Sequence, residues 1–248
     1  MAQWSDPRVT GTQSSLAGTR AGDVAVDAGL RSHMLKVYNY MASGVLLTGI
    51  VAMLFAETEL ARNLMVNPSL MSWVIILSPL VVVMAMSFGQ GKFSAATLQA
   101  MFWGFAVLMG LSLARIFMMF TGESIAQTFF ATSAAFAGLS LWAYTTKKDI
   151  SGWGSFLIMG VIGLVVAMIV NIFLQSPALL FAISAIGVLV FAGLTAYDTQ
   201  NIKNEYLAHA HHGDQEWLAK SAIFGALNLY LDFLNMFQFL LMFMGNNE

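Results

Sequence analysis

The sequence predicts an all-α polytopic membrane protein, a seven-transmembrane-helix bundle, and three observations carry that prediction. Hydrophobic residues make up 58% of the chain and charged residues only 10%, against roughly 25% charged in soluble domains. Mean hydropathy is +0.73. Between Asp149 and Asp198 there is no Asp, Glu, Lys, Arg or His, a run that holds two spans of ~20 residues with a short turn between them.

Taken in order, residues 1–30 are rich in Gly, Ala, Ser, Thr and Asp and read as a disordered polar tail. They lack the apolar core of a signal peptide, and Asp6, Asp23 and Asp27 do not suit a transit peptide. Residues 31–248 form the seven-helix domain, with spans expected over 38–56, 70–88, 96–118, 125–145, 153–174, 178–200 and 222–244. Turn chemistry separates them, as at Gly89-Gln90-Gly91, Thr121-Gly122-Glu123 and Gln175-Ser176-Pro177. The last of these is short enough to require an antiparallel hairpin. Pro79 inside the second span predicts a kink or loosened backbone bonding.

Lysine and arginine set the orientation. Arg8, Arg20, Arg31, Lys36, Lys92, Lys147, Lys148, Lys203 and Lys220 fall on one side, whereas only Arg62 lies in a loop on the other. The N-terminus is therefore expected in the cytoplasm and the C-terminus outside. That orientation is opposite to a G-protein-coupled receptor, and the seventh span has no lysine for a retinal Schiff base. The absence of cysteine excludes thiol catalysis and disulfides. No enzyme activity, cofactor or nucleic-acid partner is expected. The lipid bilayer is the obligatory one, most simply a bacterial inner membrane.

Two carboxylates stand out. Asp198 and Asp232 each lie in or beside a long apolar span, where an ionisable side chain is costly and usually faces a partner, a cavity or an ion path. Asn228, Asp232 and Asn235 recur at i, i+4 and i+7, and Gln238 extends the line. Thr195, Asp198 and Asn201 recur at i, i+3 and i+6. Both sets read as polar stripes able to face each other on antiparallel helices. Depth opposes the pairing: Asp198 lies near the end of its span and Asp232 about ten residues, or ~15 Å, into the next. Contact is expected only if the seventh span begins late, near Leu227, or tilts. Two such carboxyls cannot both ionise cheaply, so a contacting pair would share a proton and lose it as pH rises or a cation binds. That chemistry suits a pH-responsive gate, a transient Ca²⁺ contact or a catalytic pair.

Further polar residues offer support. Arg115 can snorkel to the interface or pair with Glu123 or a carboxylate across the bundle. Lys92 can anchor its span end or serve as counter-ion to Asp198. Asn171 reads as an interhelical hydrogen-bond donor, and His209, His211, His212, Asp214 and Glu216 form a loop without a zinc-ligand spacing.

These residues also resemble a known family. Tyr197-Asp198-Thr199-Gln200-Asn201-Ile202-Lys203 and Leu227-Asn228-Leu229-Tyr230-Leu231-Asp232-Phe233-Leu234-Asn235 are similar to the signature stretches of the Bax inhibitor family (transmembrane Bax inhibitor motif proteins), in its bacterial branch. Tyr38-Asn39-Tyr40-Met41, Thr121-Gly122-Glu123 and Tyr144-Thr145-Thr146-Lys147-Lys148-Asp149 fit the same branch, so the similarity spans about residues 30 to 245. The resemblance implies a central helix enclosed by the others, a di-aspartyl pH sensor on Asp198 and Asp232, and a Ca²⁺-permeable leak. An arginine that latches the sensor in some bacterial relatives is replaced here by Lys92, which cannot make a bidentate pair. Arg115 also stands where the family pattern expects proline.

Two other functions compete with the leak. The resemblance also implies a non-transporting regulator of a membrane-anchored ATP-dependent protease or other membrane partner, with residues 1–30 as its handle. An intramembrane aspartyl protease would need Gly-x-Gly-Asp at the second aspartate, where this chain has Leu229-Tyr230-Leu231-Asp232, and a Pro-Ala-Leu element after it, which is missing.

Overall fold

The structure is a computed structural model that describes the backbone of residues 7–66, 69–209 and 214–245, and the side chains of 26–64, 69–209 and 214–245. Its elements are α1 (Pro7–Ala56), α2 (Glu59–Val66), α3 (Leu70–Gly89), α4 (Ala95–Met119), α5 (Gly122–Thr145), α6 (Trp153–Leu174), α7 (Pro177–His209) and α8 (Gln215–Met244). Seven of these are long and apolar enough to cross a membrane, α2 being the exception. The chain is an all-α integral membrane protein, as its sequence predicts.

The first span is longer than expected and covers Val26–Ala56. Leu30, Met34, Val37, Met41 and Val45 recur along one face and are buried, which carries the helix N-terminal of residue 38 as a packed element. The polar stretch 1–30 thus overlaps the first turns of α1; the side chains of residues 1–25 lie outside the described set.

Helix α8 forms the centre, packed by α1, α4, α5 and α7. Within its span 56% of residues are buried, against 11% in α3 and in α6, which lie outermost on α4 and α7. Tyr230 and Phe233 anchor this core: Phe102 and Phe105 of α4 meet Tyr230 edge-on, and Phe136 of α5 meets Phe233, with ring centroids 5.4–6.0 Å apart. Such edge-to-face pairs add specificity to non-directional apolar packing.

Close backbone approach sets the α1–α4 contact. A Cβ on Gly110 would sit 2.7 Å from Val51 Cβ and 2.8 Å from the Thr48 carbonyl oxygen, so only glycine fits there, as small residues do at many membrane helix contacts. Thr48 donates to the Ala106 carbonyl at 2.8 Å and meets Tyr230 Oη at 2.6 Å. Its single proton being spent on Ala106, Tyr230 is the donor. One threonine thus joins α1, α4 and α8.

Of two local expectations, the loosened bonding at Pro79 is met and the donor role of Asn171 is not. Pro79 lies inside a continuous α3, and the Ser78 hydroxyl donates to the Ile75 carbonyl that proline leaves without its usual partner, at 3.0 Å. Asn171 makes no interhelical donation. Its side-chain oxygen accepts from Ser176 N–H at 3.1 Å, and Gln175 takes the left-handed conformation at φ 48°. Asn171 is therefore a turn-capping residue, and it makes the two-residue α6–α7 hairpin possible.

Candidate functional site

Asp198 on α7 and Asp232 on α8 meet. Their carboxyls come close enough to share a hydrogen bond when one of them carries a proton. Asp232 is buried at 4% exposure, and its Oδ2 has no hydrogen-bond partner. Asp198 is half-buried.

The depth obstacle dissolves for a reason other than the one expected. Helix α8 does not begin late. It starts at Gln215, where Asp214 caps it by accepting from Glu216 N–H and Trp217 N–H at 2.9 and 3.1 Å. Instead α7 runs on to His209, because Ile202 and Tyr206 continue its buried face, so Asp198 lies well inside the helix. Register completes the fit, since Ile202 packs against Gly225. From that level Asp198 is four residues up α7 and Asp232 seven up α8. At ~1.5 Å per residue the two differ by only about 4.5 Å in height, which two side chains span.

The flanking stripes are only partly as expected. Thr195 is buried but donates within its own helix, to the Phe191 carbonyl at 2.8 Å. Asn201 is exposed: six helical residues turn the chain to ~120° away from Thr195, so i, i+3, i+6 is not one face. The buried face continues through Thr199, Ile202 and Tyr206, at i+4, i+7 and i+11. On α8, Asn228 is exposed, and half-buried Asn235 donates to the Leu231 carbonyl at 2.8 Å. None of these amides is bonded to the carboxyl pair.

The basic residues also stand apart. Lys92 is exposed in the α3–α4 loop, and Arg115 is exposed on α4 beside a cavity of about 280 Å³ that includes Ser72 and Ser112. Neither makes an ion pair among the described residues, where Lys220–Glu216 at 3.1 Å is the one present. Lys92 is not a counter-ion to Asp198. Arg115 does not pair with Glu123, which accepts instead from Gln127 at 2.9 Å. No group of three or more metal-ligating side chains occurs among the described residues, and His211 and His212 lie outside them.

Around the pair the structure adds residues that spacing did not single out. Thr199 donates to Ser140 at 3.3 Å, tying α5 and α7 together, with the Tyr38 hydroxyl of α1 close to both. Gln200 holds the α5–α6 loop with both ends of its amide, accepting from Ile150 N–H at 2.9 Å and donating to the Lys148 carbonyl at 2.8 Å. Lys203 donates to the Tyr144 carbonyl at 2.7 Å, with its ammonium 5.4 Å from the Tyr144 ring centroid. In the same loop Asp149 accepts from Ser151 N–H at 2.9 Å, and the Ser151 backbone and hydroxyl hold its carboxyl below the usual carboxylate range. The signal for these contacts was present in the quoted motifs Tyr197–Lys203 and Tyr144–Asp149, but their partners are set by tertiary packing.

These features define a class: a seven-helix integral membrane protein with a protonatable carboxyl pair against a buried central helix. The chain belongs to the Bax inhibitor family, for the family model described as inhibitor of apoptosis-promoting Bax1 matches residues 30–248. An uncharacterized protein of Caulobacter vibrioides is 47% identical over 248 residues, covering 96% of this chain and 97% of the relative. The inner membrane protein YbhL of Escherichia coli is 42% identical over 221 residues, covering 89% and 94%. A Rickettsia prowazekii protein is 43% identical over 230 residues, covering 93% and 96%. Seven apolar helices together with this kinship support an integral inner-membrane location.

Proposed function

We propose that the protein is a proton-regulated cation leak channel, with Ca²⁺ the expected permeant ion. The observation that carries this reading is the Asp198–Asp232 contact on the central helix. With one proton between them, the carboxyls hold α7 against α8. When that proton leaves, two like charges in a low-dielectric site repel, and either the helices part or a cation takes the proton's place. Carboxylate oxygens are hard ligands suited to Ca²⁺, which takes six to eight oxygens. The pair offers four at most, so an ion there keeps part of its water and binds transiently, as conduction requires. Asp198 and Asp232 act here as sensor and gate, not as catalysts. Without Lys92 as a latch, the shared proton alone holds the pair.

The test is Ca²⁺ flux into proteoliposomes against pH for the wild type, Asp198→Asn and Asp232→Asn. Flux should change with pH in the wild type and lose that dependence in both variants. Absent flux, or one profile for all three proteins, sinks the proposal.

A second reading, regulation of a membrane-anchored ATP-dependent protease or other membrane partner, has one observation in its favour. The family match starts at residue 30, so the preceding segment lies outside what the family model describes. Removing residues 2–25 should then abolish co-purification with the partner, while the aspartate variants retain it.

A further inference from the structure

We propose that the groove between α1 and α5 is a binding site for one anionic phospholipid, its phosphate held at Arg31. Helix α1 packs chiefly on α4 and α8, and α5 on α7 and α8, so α1 and α5 stand apart over a floor made by their neighbours. Two cavities occupy the gap. One, of about 470 Å³, lies between residues 31–42 of α1 and 136–144 of α5; the other, of about 520 Å³, lies between 45–53 and 122–130.

The first cavity has the shape and chemistry of a lipid site. Along α1 it extends eleven residues from Arg31 to Ala42, or ~17 Å, which matches the ~15 Å of hydrocarbon in one leaflet. Its walls are apolar, from Met34, Met41, Phe136 and Ala137. Of the two hydroxyls that reach it, on Tyr38 and Ser140, that of Ser140 is taken up by Thr199 at 3.3 Å.

Charge collects only at the mouth. Arg31 stands there exposed, with no ion pair among the described residues. On the facing wall Tyr144 carries the Lys203 ammonium over its ring. A cation at one end of an apolar slot complements a phosphate on a hydrocarbon chain, and a cation near a membrane surface favours anionic lipid ~5-fold. The second cavity has no charged lining residue, so it provides an internal control without headgroup preference.

Native mass spectrometry of the full chain, mixed with equimolar phosphatidylglycerol and phosphatidylcholine, tests the site. One phosphatidylglycerol should be retained at least ~5-fold in preference. Arg31→Gln should remove that preference and Arg31→Lys should keep it. Ala137→Trp, or Ala42→Trp on the opposite wall should the first not fold, should expel the lipid, while Ala126→Trp in the second cavity should leave it bound. Equal retention of the two lipids overturns the proposal, as does phosphatidylglycerol retained by a folded Trp variant in the first cavity. A lipid-free dimer from the same sample also overturns it, by assigning the groove to a second copy.

Discussion

Removing the repulsion latent in the carboxyl pair should make stability independent of pH, and the size of the effect follows from the site. Asp198 and Asp232 contact each other, and Asp232 is buried with one oxygen unpartnered. Two ionised carboxylates ~4 Å apart at an effective dielectric constant of ~20 repel by about 4 kcal/mol. The sign is set by the proton. The pair is compatible with the packed bundle while the proton is held, so stability is full in acid and falls as pH rises and the proton leaves. In Asp198→Asn or Asp232→Asn the second charge never forms, and the amide can still donate to the remaining carboxylate. Thermal unfolding in one detergent, from mildly acid to mildly alkaline buffer, should lower the wild-type midpoint by on the order of 10 °C at full repulsion. Both variants should be nearly flat over that range. A flat wild type, or the same slope in all three, refutes the reasoning that the pair is held by a shared proton. This measurement reads the pair itself and needs no ion flux.

Three further outcomes follow from contacts elsewhere. Gly110→Ala should destabilise the bundle by about 1–3 kcal/mol by forcing α1 from α4, lowering the unfolding midpoint at every pH. Gln200→Leu leaves the buried Ile150 N–H unpaired at a cost of about 1–3 kcal/mol and releases the Lys148 carbonyl to water, and should speed protease nicking between residues 146 and 152; Gln200→Glu keeps the acceptor and should be nicked more slowly than Gln200→Leu. Lys92→Ala and Asn201→Ala, which touch neither carboxyl, should each change stability by less than about 0.5 kcal/mol, and Lys92→Ala should leave the pH profile of flux unchanged.

The spans and the carboxyl pair were legible because each leaves a one-dimensional trace. Charge-free runs mark helices in lipid, and an aspartate inside one is conspicuous. What was missed depends on rotation and on neighbours. The spacing of Thr195, Asp198 and Asn201 looks periodic, yet three-residue steps drift around a helix, and Asn201 ends on the exposed side. The end of α7 was placed too early because residues 201–209 are polar overall, while Ile202 and Tyr206 still give them a buried face. Asn171 and Gln200 carry the same chemistry as any intramembrane amide; which backbone groups they satisfy is fixed only once the turn and the loop are in place. Lys92 and Arg115 drew attention by being rare, and rarity says nothing about reach.

Asp198, Thr199 and Gln200 are consecutive, so their side chains leave α7 at ~100° intervals. One faces the central helix, the next grips α5, and the third grips the loop between α5 and α6. A turn of α7 that frees any one of them disturbs all three. The helix is thus keyed on three sides within two successive residue steps, and its contacts to the core, to α5 and to the loop are lost or kept together.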